Sequence, residues 1–522
     1  MKNKINYCKN KNTQQRSISY IPIRYITAGM LSIIEVMLVI GIVIALCYFV
    51  PYFYIIAYIT QIYCVLKIIA SNDNPDYKIP WLLFVLILPI AGFMLYFLFY
   101  SRKLKKKYVK RLKYLYDKCY EKDDAELIRM IDKENSEAAG QAKMLIRLSG
   151  THIFNNTTQK YFCLGEEMYK AMLNDLKEAK KFIFMEYFII GKGVFWDSIL
   201  KILKEKTDSG VEVKIVYDDI GCMKTLPGDY YKQLKKVGIE AVPFSRLKGS
   251  VDSEFNNRNH RKLTIIDGVI AYTGGINIAD EYINVTERFG YWKDAGIRIE
   301  GEGVKEFTKL FMIDYGLNVK QITEERNDRY PKTQKNENVR GYLIPFGDGP
   351  RPIYQRNVGK SVISNMLANA NRYAFIMTPY LIIDNELCIA IEDASLRGVD
   401  VRIIVPHVPD KKIVSLMSKS FYERLMSAGV KIYEYKPGFV HSKVYLVDNM
   451  YAMVGTINLD YRSLVHHFEN GVWMYNTDSI ANIKEDFDKT IEKSIELSLN
   501  VNRVGVFTKL FCSIVKIFAP LM

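Results

Sequence analysis

The sequence predicts an α/β protein whose two related halves share one active site and follow an N-terminal α-helical membrane anchor. Two observations predict the halves: a rare pattern, H-x-K-x4-D-x6-G-x-x-N, occurs twice, and the segments around it repeat in the same order. A long apolar N-terminal region predicts the anchor. The two copies of the pattern are His260, Lys262, Asp267, Gly274 and Asn277, and His441, Lys443, Asp448, Gly455 and Asn458.

The anchor is predicted from two apolar stretches. Trp81–Tyr100 contains no charged residue and, as one helix, would rise about 30 Å, the thickness of a bilayer's hydrocarbon core. Met30–Ala70 is also apolar and long enough for two further spans. The basic cluster RKLKKKYVKRLK at 102–113 is expected to stay on the cytoplasmic side, so we expect a multi-pass cell-membrane protein with a cytoplasmic catalytic domain.

The two halves are predicted from alternating strand and helix patterns. KFIFMEYFII at 181–190 corresponds to AFIMTPYLII at 374–383, and GVEVKIVYDD at 210–219 corresponds to GVDVRIIVPH at 398–407. Helical stretches such as DSILKILKEKTDSG separate these β-type runs, which is typical of a sheet with crossover helices.

The expected regions follow in chain order. They are an anchor with two or three transmembrane helices (1–107), a helical linker (108–150), the first half (151–322), a charged linker (323–340), the second half (341–500) and a C-terminal amphipathic helix (501–522). The last of these is predicted to lie at a membrane surface, with a helix packed on the catalytic core as the alternative.

Charge and cysteine content exclude several classes of function. The formal net charge is +15, but almost all of the excess lies in residues 1–113, around the apolar stretches, where it would meet anionic lipid. We therefore expect no nucleic-acid partner. The eight cysteines form no C-x-x-C pair and no Cys/His cluster with zinc spacing, so neither a disulfide framework nor a metal site is expected.

The repeated pattern suits phosphate chemistry. On a strand, residues two apart share a face, so each histidine and its lysine can meet one substrate group, and an asparagine amide can return after the glycine turn. Lysine ammonium groups are strong phosphate ligands. We therefore expect Lys262, Asn277, Lys443 and Asn458 to bind one phosphodiester. Of the two histidines, one would attack phosphorus and the other would act as general acid and base.

Two carboxylates are candidates for orienting the imidazoles. Asp294, in YWKDAGIRIEG, follows the first hairpin, and Glu469, in HFENGVWMYN, follows the second. Each lies a similar number of residues after the histidine of its own half, and each would fix the tautomer of an imidazole. Asp267 and Asp448 are candidate catalytic residues, with a structural role in the hairpin as the alternative.

These motifs resemble those of the phospholipase D superfamily and, within it, bacterial cardiolipin synthases. The resemblance covers nearly the full chain and includes FMEYFII, YDDIG, HRKLTIIDG, YTGGINIADEY, YWKDAGIRIEG, TPYLIID, the second hairpin and the N-terminal apolar segment. It implies a catalytic set of His260, Lys262, Asp267, His441, Lys443 and Asp448, supported by Asn277, Asn458, Asp294 and Glu469.

The resemblance also implies an activity. A phosphatidyl group would pass from one phosphatidylglycerol to another through a phosphohistidine, giving cardiolipin and glycerol without a metal or cofactor, in a bacterial cell membrane. The expected partners are phosphatidylglycerol and membrane lipids. Two alternatives remain open: a phospholipase D, which uses water as the acceptor, and a phosphatidylserine synthase, which uses serine.

Overall fold

The structure is a computed structural model of the 522-residue chain. It describes residues 23–49, 53–100, 110, 122–246, 257–319, 329–330, 339–350, 353–354, 356–499, 512 and 515–517. The predicted basic cluster at 102–113 (except Lys110), most of the charged linker at 323–340 and most of the predicted C-terminal helix at 501–522 lie outside the described residues.

The N-terminal region is helical but differs from the predicted anchor. Its helices are α1 (Ile23–Phe49), α2 (Phe53–Ala70), α3 (Pro75–Ile87) and α4 (Pro89–Phe99). Trp81–Tyr100, predicted as one span, is instead divided at Leu88 between two helices that pack on each other. Proline disfavours helical backbone at the preceding residue and lacks an N–H donor, so Pro89 accounts for the break. Nowhere in the described chain does a helix combine the length and apolar character needed to cross a bilayer, so the two or three spans are not confirmed.

Helices α2, α3 and α4 form a small helical unit with its own core. Trp81 and Tyr96 are buried within it, and the Gln61 side chain donates to the Val85 carbonyl oxygen at 2.9 Å. Gly92 permits the close approach of α3 and α4, because a Cβ there would overlap the Phe84 carbonyl. The outer surface of α2, including Ile55, remains exposed.

The turn between α2 and α3 contacts the second half of the protein. The Asn74 amide donates to Asp384 at 2.8 Å. The Asp76 carboxylate accepts a hydrogen bond from the Asn385 backbone N–H and one from the Tyr461 hydroxyl, both at 3.0 Å. The helical unit is therefore attached to the catalytic region through polar contacts.

Two helices lie within the predicted linker. These are α5 (Ala125–Glu134) and α6 (Ser136–Ser149). The side chain of Asn135 caps α6 by accepting from the Ala138 N–H at 2.8 Å. Their buried residues, such as Leu145, belong to the same hydrophobic core as the second half. This segment thus packs on the second half and covers part of it.

The first half contains a seven-stranded mixed sheet with flanking helices. Its elements are β1 (Thr157–Phe162), α7 (Gly165–Glu178), β2 (Phe182–Tyr187), α8 (Val194–Asp208), β3 (Glu212–Asp218), α9 (Tyr230–Lys235), β4 (Glu240–Phe244), β5 (Lys262–Ile266), β6 (Ile270–Gly274), β7 (Tyr291–Lys293), β8 (Gly296–Gly301) and α10 (Val304–Asn318). The sheet order is β1-β8-β6-β5-β2-β3-β4, with β2, β3 and β4 parallel.

The second half repeats this topology. Its elements are β9 (Tyr342–Asp348), α11 (Val358–Ala368), β10 (Tyr373–Met377), β11 (Leu381–Ile382), α12 (Asn385–Leu396), β12 (Asp400–Pro406), α13 (Lys412–Ser427), β13 (Lys431–Tyr435), β14 (Gly438–Val440), β15 (Val444–Val447), β16 (Tyr451–Gly455), β17 (Leu459–Asp460), β18 (Glu469–Tyr475), α14 (Ser479–Glu492) and β19 (Ser494–Glu496). The order β9-β18-β16-β15-β10-β12-β13 matches the first sheet strand for strand, with β19 added at the edge. The predicted pair of α/β halves is confirmed.

The two sheets share one core. Side chains from β2 and β5, such as Phe184 and Leu263, and from β15 and β18, such as Val444 and Val472, belong to the same buried cluster. Strands with both faces buried read as nearly continuous apolar runs, which explains sequences such as FIFMEY in β2. The helices of each half cover the outer faces, so the two hairpins that carry the repeated motif face each other's half.

Backbone pairing joins the halves at two symmetric places. Strands β7 and β14 form a parallel pair in which Lys293 lies opposite Val440. A parallel bridge joins Asn259 to Phe468. In both cases the residue before a motif histidine pairs with the residue before a candidate orienting carboxylate of the other half. These two contacts determine the geometry of the site.

Candidate active site

Each motif histidine lies just before the first strand of its hairpin. His260 precedes β5 and His441 precedes β15, and each is 7% exposed. The backbone N–H of His260 donates to the Phe468 carbonyl at 2.9 Å, and that of His441 donates to the Lys293 carbonyl at 2.7 Å. The other half of the protein therefore holds the main chain of each histidine.

The orienting carboxylates are exchanged between the halves. His260 Nδ1 lies 2.9 Å from Glu469 Oε1, and His441 Nδ1 lies 2.7 Å from Asp294 Oδ2. Sequence spacing left open which histidine each carboxylate would orient, and the structure places each carboxylate beside the histidine of the other half. The cause is the cross-half pairing of Asn259 with Phe468 and of Lys293 with Val440.

Further polar contacts hold Glu469 in place. Its Oε1 accepts from the Ser463 hydroxyl at 2.7 Å, and its Oε2 accepts from the Thr456 hydroxyl. The Arg261 guanidinium, which points away from the substrate side, donates to the Glu469 carbonyl oxygen at 3.0 Å. Both oxygens of this buried carboxylate therefore have donors besides His260, which keeps it aligned with the imidazole.

Asp294 is held differently. Its Oδ1 accepts from the Ala295 N–H at 2.8 Å, and Oδ2 accepts from the Trp292 indole at 3.5 Å. Gly275 occupies the position that corresponds to Thr456, and a Cβ there would overlap the Asp294 carboxylate and approach the His441 carbonyl oxygen to 2.8 Å. Glycine at 275 is therefore required for the Asp294–His441 contact.

The pKa values of these groups favour neutral imidazoles beside ionised carboxylates. Burial lowers the pKa of His260 to about 3 and that of His441 to about 4, and the neighbouring lysines act in the same direction. Burial would raise the pKa of Glu469 and Asp294, but contacts with the facing histidine, together with His467 beside Glu469 and Lys443 beside Asp294, outweigh it, and both carboxyl pKa values fall below the ordinary range. With Nδ1 directed at a carboxylate, each ring keeps Nε2 for substrate.

Both motif lysines are buried beside their histidines. Lys262 Nζ donates to the His260 carbonyl oxygen at 2.6 Å, and Lys443 Nζ lies 2.8 Å from His441 Nδ1 and contacts the His441 carbonyl oxygen. Burial lowers the pKa of Lys262 well below its ordinary value and that of Lys443 to about 8. Lys443 also lowers the Lys262 pKa, because the two cations lie close enough to repel each other. The lysine ammonium groups of the two halves therefore lie near each other in the same site.

The two motif asparagines are buried but partly engaged. Asn277 accepts from the Ile189 N–H at 3.0 Å and donates to the Tyr282 hydroxyl at 2.7 Å. Asn458 donates to Asp460 at 2.9 Å. An amide nitrogen carries two hydrogens, so each side chain keeps one donor for a substrate, and their phosphate-binding role stays a prediction.

Asp267 and Asp448 lie away from the histidines, at the far ends of β5 and β15. Asp267 accepts from the backbone N–H groups of Lys180, Lys181 and Phe182 at 2.7–2.9 Å. Asp448 does the same for three residues before β10 and at its start, Asn371, Arg372 and Tyr373, at 2.7–2.8 Å. Both backbones also adopt positive φ at the hairpin turn, 54° and 55°, which Asp tolerates. These contacts favour the structural alternative over a catalytic role.

Two family models match parts of the chain. The model described as "Cardiolipin synthase, PLD-like domain" matches residues 172–311 and 363–491, and a model described as "Phospholipase_D-nuclease N-terminal" matches residues 59–99. The chain belongs to the cardiolipin synthase family of phospholipase D-like proteins. Each of the two regions that match the cardiolipin synthase model contains one copy of the His-x-Lys motif.

Similar members of the cardiolipin synthase family cover most of the chain. "Cardiolipin synthase 2" of Bacillus anthracis is 34% identical over 83% of this chain and 84% of the relative, and the cardiolipin synthase of Alkalihalophilus pseudofirmus is 32% identical over 87% and 91%. An uncharacterized protein of Streptococcus mutans serotype c is 41% identical over 88% of this chain and 99% of the relative. The crystal structure of phosphatidylserine synthase from Haemophilus influenzae is 17% identical, with a TM-score of 0.55 over 73% of this chain and 97% of that one, and it shares the fold.

Several residues around this cardiolipin synthase-family site were not predicted from the sequence. Asp218, the last residue of β3, accepts from the Arg258 guanidinium and, at 3.0 Å, from the Asn259 N–H, which positions the segment before His260. Ser463 lies on a short π-helix, Arg462–His466, a type of distortion that is frequent at functional sites. His467 lies with its ring centroid 5.4 Å from that of His260.

A potential metal-ligand cluster also lies in this family site. Within the described residues, His260, His467 and Glu469 place one ligand atom each within 4.8 Å of one another. Sequence spacing gave no indication of it, because His260 and Glu469 are separated by 209 positions. The expectation that no metal site exists was drawn from local spacing alone.

Proposed function

We propose that this protein is a cardiolipin synthase that transfers a phosphatidyl group between two phosphatidylglycerol molecules, giving cardiolipin and glycerol. The observation that carries the proposal is the pair of buried imidazoles, each held at Nδ1 by a carboxylate of the other half. Family membership supports the broader class, a phosphatidyltransferase acting on phospholipids.

The first chemical step would form a covalent intermediate. The neutral His260 Nε2 attacks phosphorus, and the bond from phosphorus to the glycerol oxygen breaks. His441, protonated at Nε2, gives its proton to the leaving alkoxide. Its pKa of about 4 in the free protein is too low for this at neutral pH, so the negative charge of the bound phosphodiester has to raise it. Lys262 and Lys443 would hold the non-bridging oxygens.

The second step would reverse the roles. His441, now neutral, takes the proton from a hydroxyl of a second phosphatidylglycerol, and that oxygen attacks phosphorus. The bond between phosphorus and His260 Nε2 breaks, which restores both imidazoles. One phosphodiester replaces another, so the reaction needs no nucleotide. Asp294 and Glu469 would act as positioning residues that stabilise each imidazolium as it forms.

The N-terminal helices support a membrane-associated enzyme. Apolar side chains on α1 and α2, including Ile33, Met37, Ile55 and Ile59, are more than half exposed to solvent. Large exposed apolar surfaces mark interaction sites, and lipid suits one that carries few charges. A second lipid hydroxyl would then be present at high local concentration and compete with water for the intermediate.

The proposal is tested with the full-length protein in detergent micelles or liposomes that contain phosphatidylglycerol alone. We expect cardiolipin and glycerol in equal amounts, and we expect excess glycerol to reduce net cardiolipin. His260→Ala and His441→Ala should each abolish the product, whereas His407→Ala, at a 45% exposed histidine outside the site, should retain it.

Other products would contradict the proposed activity and indicate a different one. Phosphatidic acid as the main product would indicate a phospholipase D. Product that appears only with serine, or only with a CDP-activated lipid, would indicate a different phosphatidyltransferase. Near-normal turnover in either catalytic histidine variant would contradict a site shared by the two halves.

A further inference from the structure

His467 is a buried histidine that the proposed transfer reaction does not use. It is 8% exposed, and neither of its ring nitrogens has a hydrogen-bond partner among the residues that the structure describes. Its Nδ1 lies 3.7 Å from Glu469 Oε1, beyond hydrogen-bond distance. Buried polar atoms are normally paired, so the ring nitrogens of His467, beside another imidazole and a carboxylate, are available to a ligand.

We propose that His260, Glu469 and His467 form a binding site for a zinc-type divalent ion that inhibits the enzyme. Two imidazoles and one carboxylate are the ligand types that Zn²⁺ accepts in three-ligand sites, with water in the fourth position. No residue outside the three has to move into the site to complete this set.

The spacing of the ligand atoms fits such an ion. Zn²⁺ binds nitrogen and oxygen at about 2.0–2.2 Å, so neighbouring ligands of a tetrahedral ion lie about 3.3 Å apart. His260 Nδ1 and Glu469 Oε1 are 2.9 Å apart, and His467 Nδ1 and Glu469 Oε1 are 3.7 Å apart. These distances lie on either side of the required value. An ion would widen the first contact and shorten the second by a few tenths of an ångström, and the two imidazole nitrogens, which lie within 4.8 Å of each other, would move to the same spacing.

The carboxylate is already supported as a metal ligand would be. Ser463 and Thr456 donate to its two oxygens, and such outer contacts orient ligating carboxylates in metal sites. Lys262 opposes a cation here, since its positive charge also lowers the His260 pKa. Glu469 supplies the one negative charge of the ligand set, and this charge offsets the repulsion between Lys262 and the ion.

Only one such site is expected per chain. Trp292 stands two residues before Asp294, as His467 stands two residues before Glu469. The indole donates toward Asp294, and its ring centroid lies 5.4 Å from that of His441; because the indole nitrogen is a donor only, it offers no lone pair to a metal. The two halves, similar in fold, therefore differ in metal affinity.

Inhibition follows from the atoms that the ion takes. Coordination uses the lone pair of His260 Nδ1, so the ring proton moves from Nδ1 to Nε2, and the ion also takes the carboxylate that orients the ring. The imidazole would lose its alignment, and the protonated Nε2 would have no lone pair with which to attack phosphorus. Metal binding itself is independent of the proposed function, whereas the inhibition rests on it.

The binding test uses ZnCl₂ and the full-length protein in detergent without lipid. We expect one zinc per chain in a titration against a chromogenic chelator, with affinity at least tenfold weaker in His467→Asn and His467→Gln and unchanged in His407→Asn. Affinities of both His467 variants within threefold of the parent value would overturn the site. Thermal unfolding establishes that each variant is folded.

Two further measurements keep the proposal testable if the variants unfold. X-ray absorption of zinc bound to the parent protein should show two imidazole ligands, and fewer than two would refute the site. In the lipid assay, zinc should inhibit the parent at least tenfold more effectively than His467→Asn, each relative to its own rate, and EDTA should not reduce activity. Zinc binding without inhibition would retain the site and reject its effect on the reaction.

Discussion

Exchange of the carboxylates predicts which chemical step each of them supports. If His260 is the nucleophile and His441 the acid and base, Asp294 acts on proton transfer and Glu469 acts on nucleophilic attack, although each lies in the other half. Asp294→Asn and Glu469→Gln keep the shape of the side chain and remove its charge. The two variants should therefore fail at different steps.

The expected loss is large. At 2.7 Å between His441 Nδ1 and Asp294 Oδ2, the charge centres of an imidazolium and a carboxylate lie about 4 Å apart, and their attraction is about 4 kcal/mol at an effective dielectric constant of about 20. Removing that attraction when His441 becomes protonated should lower turnover by a factor of about 10³. The same reasoning applies to Glu469 when His260 becomes charged on attack.

A substrate with a good leaving group separates the two effects. Phosphatidyl-p-nitrophenol releases p-nitrophenolate without an acid, so Asp294→Asn should give a rapid burst of one equivalent per chain and then slow turnover. Glu469→Gln should give no burst. The reverse pattern would make His441 the nucleophile, and normal turnover of phosphatidylglycerol in both variants would refute the orienting role altogether.

Three further predictions concern other residues. Burial lowers the Lys443 pKa to about 8. We therefore expect kcat/KM for phosphatidylglycerol to fall as pH rises through about 8, because the protonated amine that holds the phosphate is lost. Lys443→Arg, which stays charged, should move this decline to higher pH. Asp448→Ala removes the acceptor of three backbone N–H groups and should lower the free energy of unfolding by about 3–5 kcal/mol, which is measured as a lower melting temperature. The kcat of the folded variant should stay within threefold of the parent value. A loss of kcat without destabilisation would indicate a catalytic role for Asp448. Gly275→Ala should lower kcat at least a hundredfold by displacing Asp294, whereas Gly140→Ala, which has open space around it, should leave kcat unchanged.

Repetition made the fold predictable from the sequence. Matching segments at 181–190 and 374–383 became β2 and β10, and those at 210–219 and 398–407 became β3 and β12, at equivalent places in sheets of the same order. Alternating strand and helix patterns are local properties of the sequence, and the same pattern in two copies strengthens the prediction of each element. The halves could therefore be recognised without any knowledge of how they pack.

Pairing across the halves could not be predicted in this way. Spacing along the chain does not say which histidine Asp294 orients, whereas the backbone contact between Lys293 and Val440 brings it to His441. The cluster formed by His260, His467 and Glu469 was missed for the same reason. Non-local contacts of this kind depend on how the two sheets pack against each other, and a local sequence pattern does not indicate that packing.

The apolar N-terminus shows a different limit. The span over Trp81–Tyr100 was predicted from its lack of charged residues, without regard to backbone conformation. Pro89 interrupts the helix there, so the segment forms two helices instead of one. The role of the Asp at each hairpin turn was ambiguous, because an aspartate can be either a turn residue with positive φ or a catalytic acid. The three backbone N–H groups that donate to it were visible only in the structure.

The turn between α2 and α3 has a practical consequence for shortened versions of the protein. Tyr461, which bonds to Asp76, directly precedes the π-helix that leads to His467 and Glu469, and the Tyr77 ring lies 6.2 Å from that of His466. A fragment trimmed to begin after α4 for the sake of solubility would leave this stretch without its packing partner. Kinetic constants measured on such a fragment would describe a loosened active site rather than the native one.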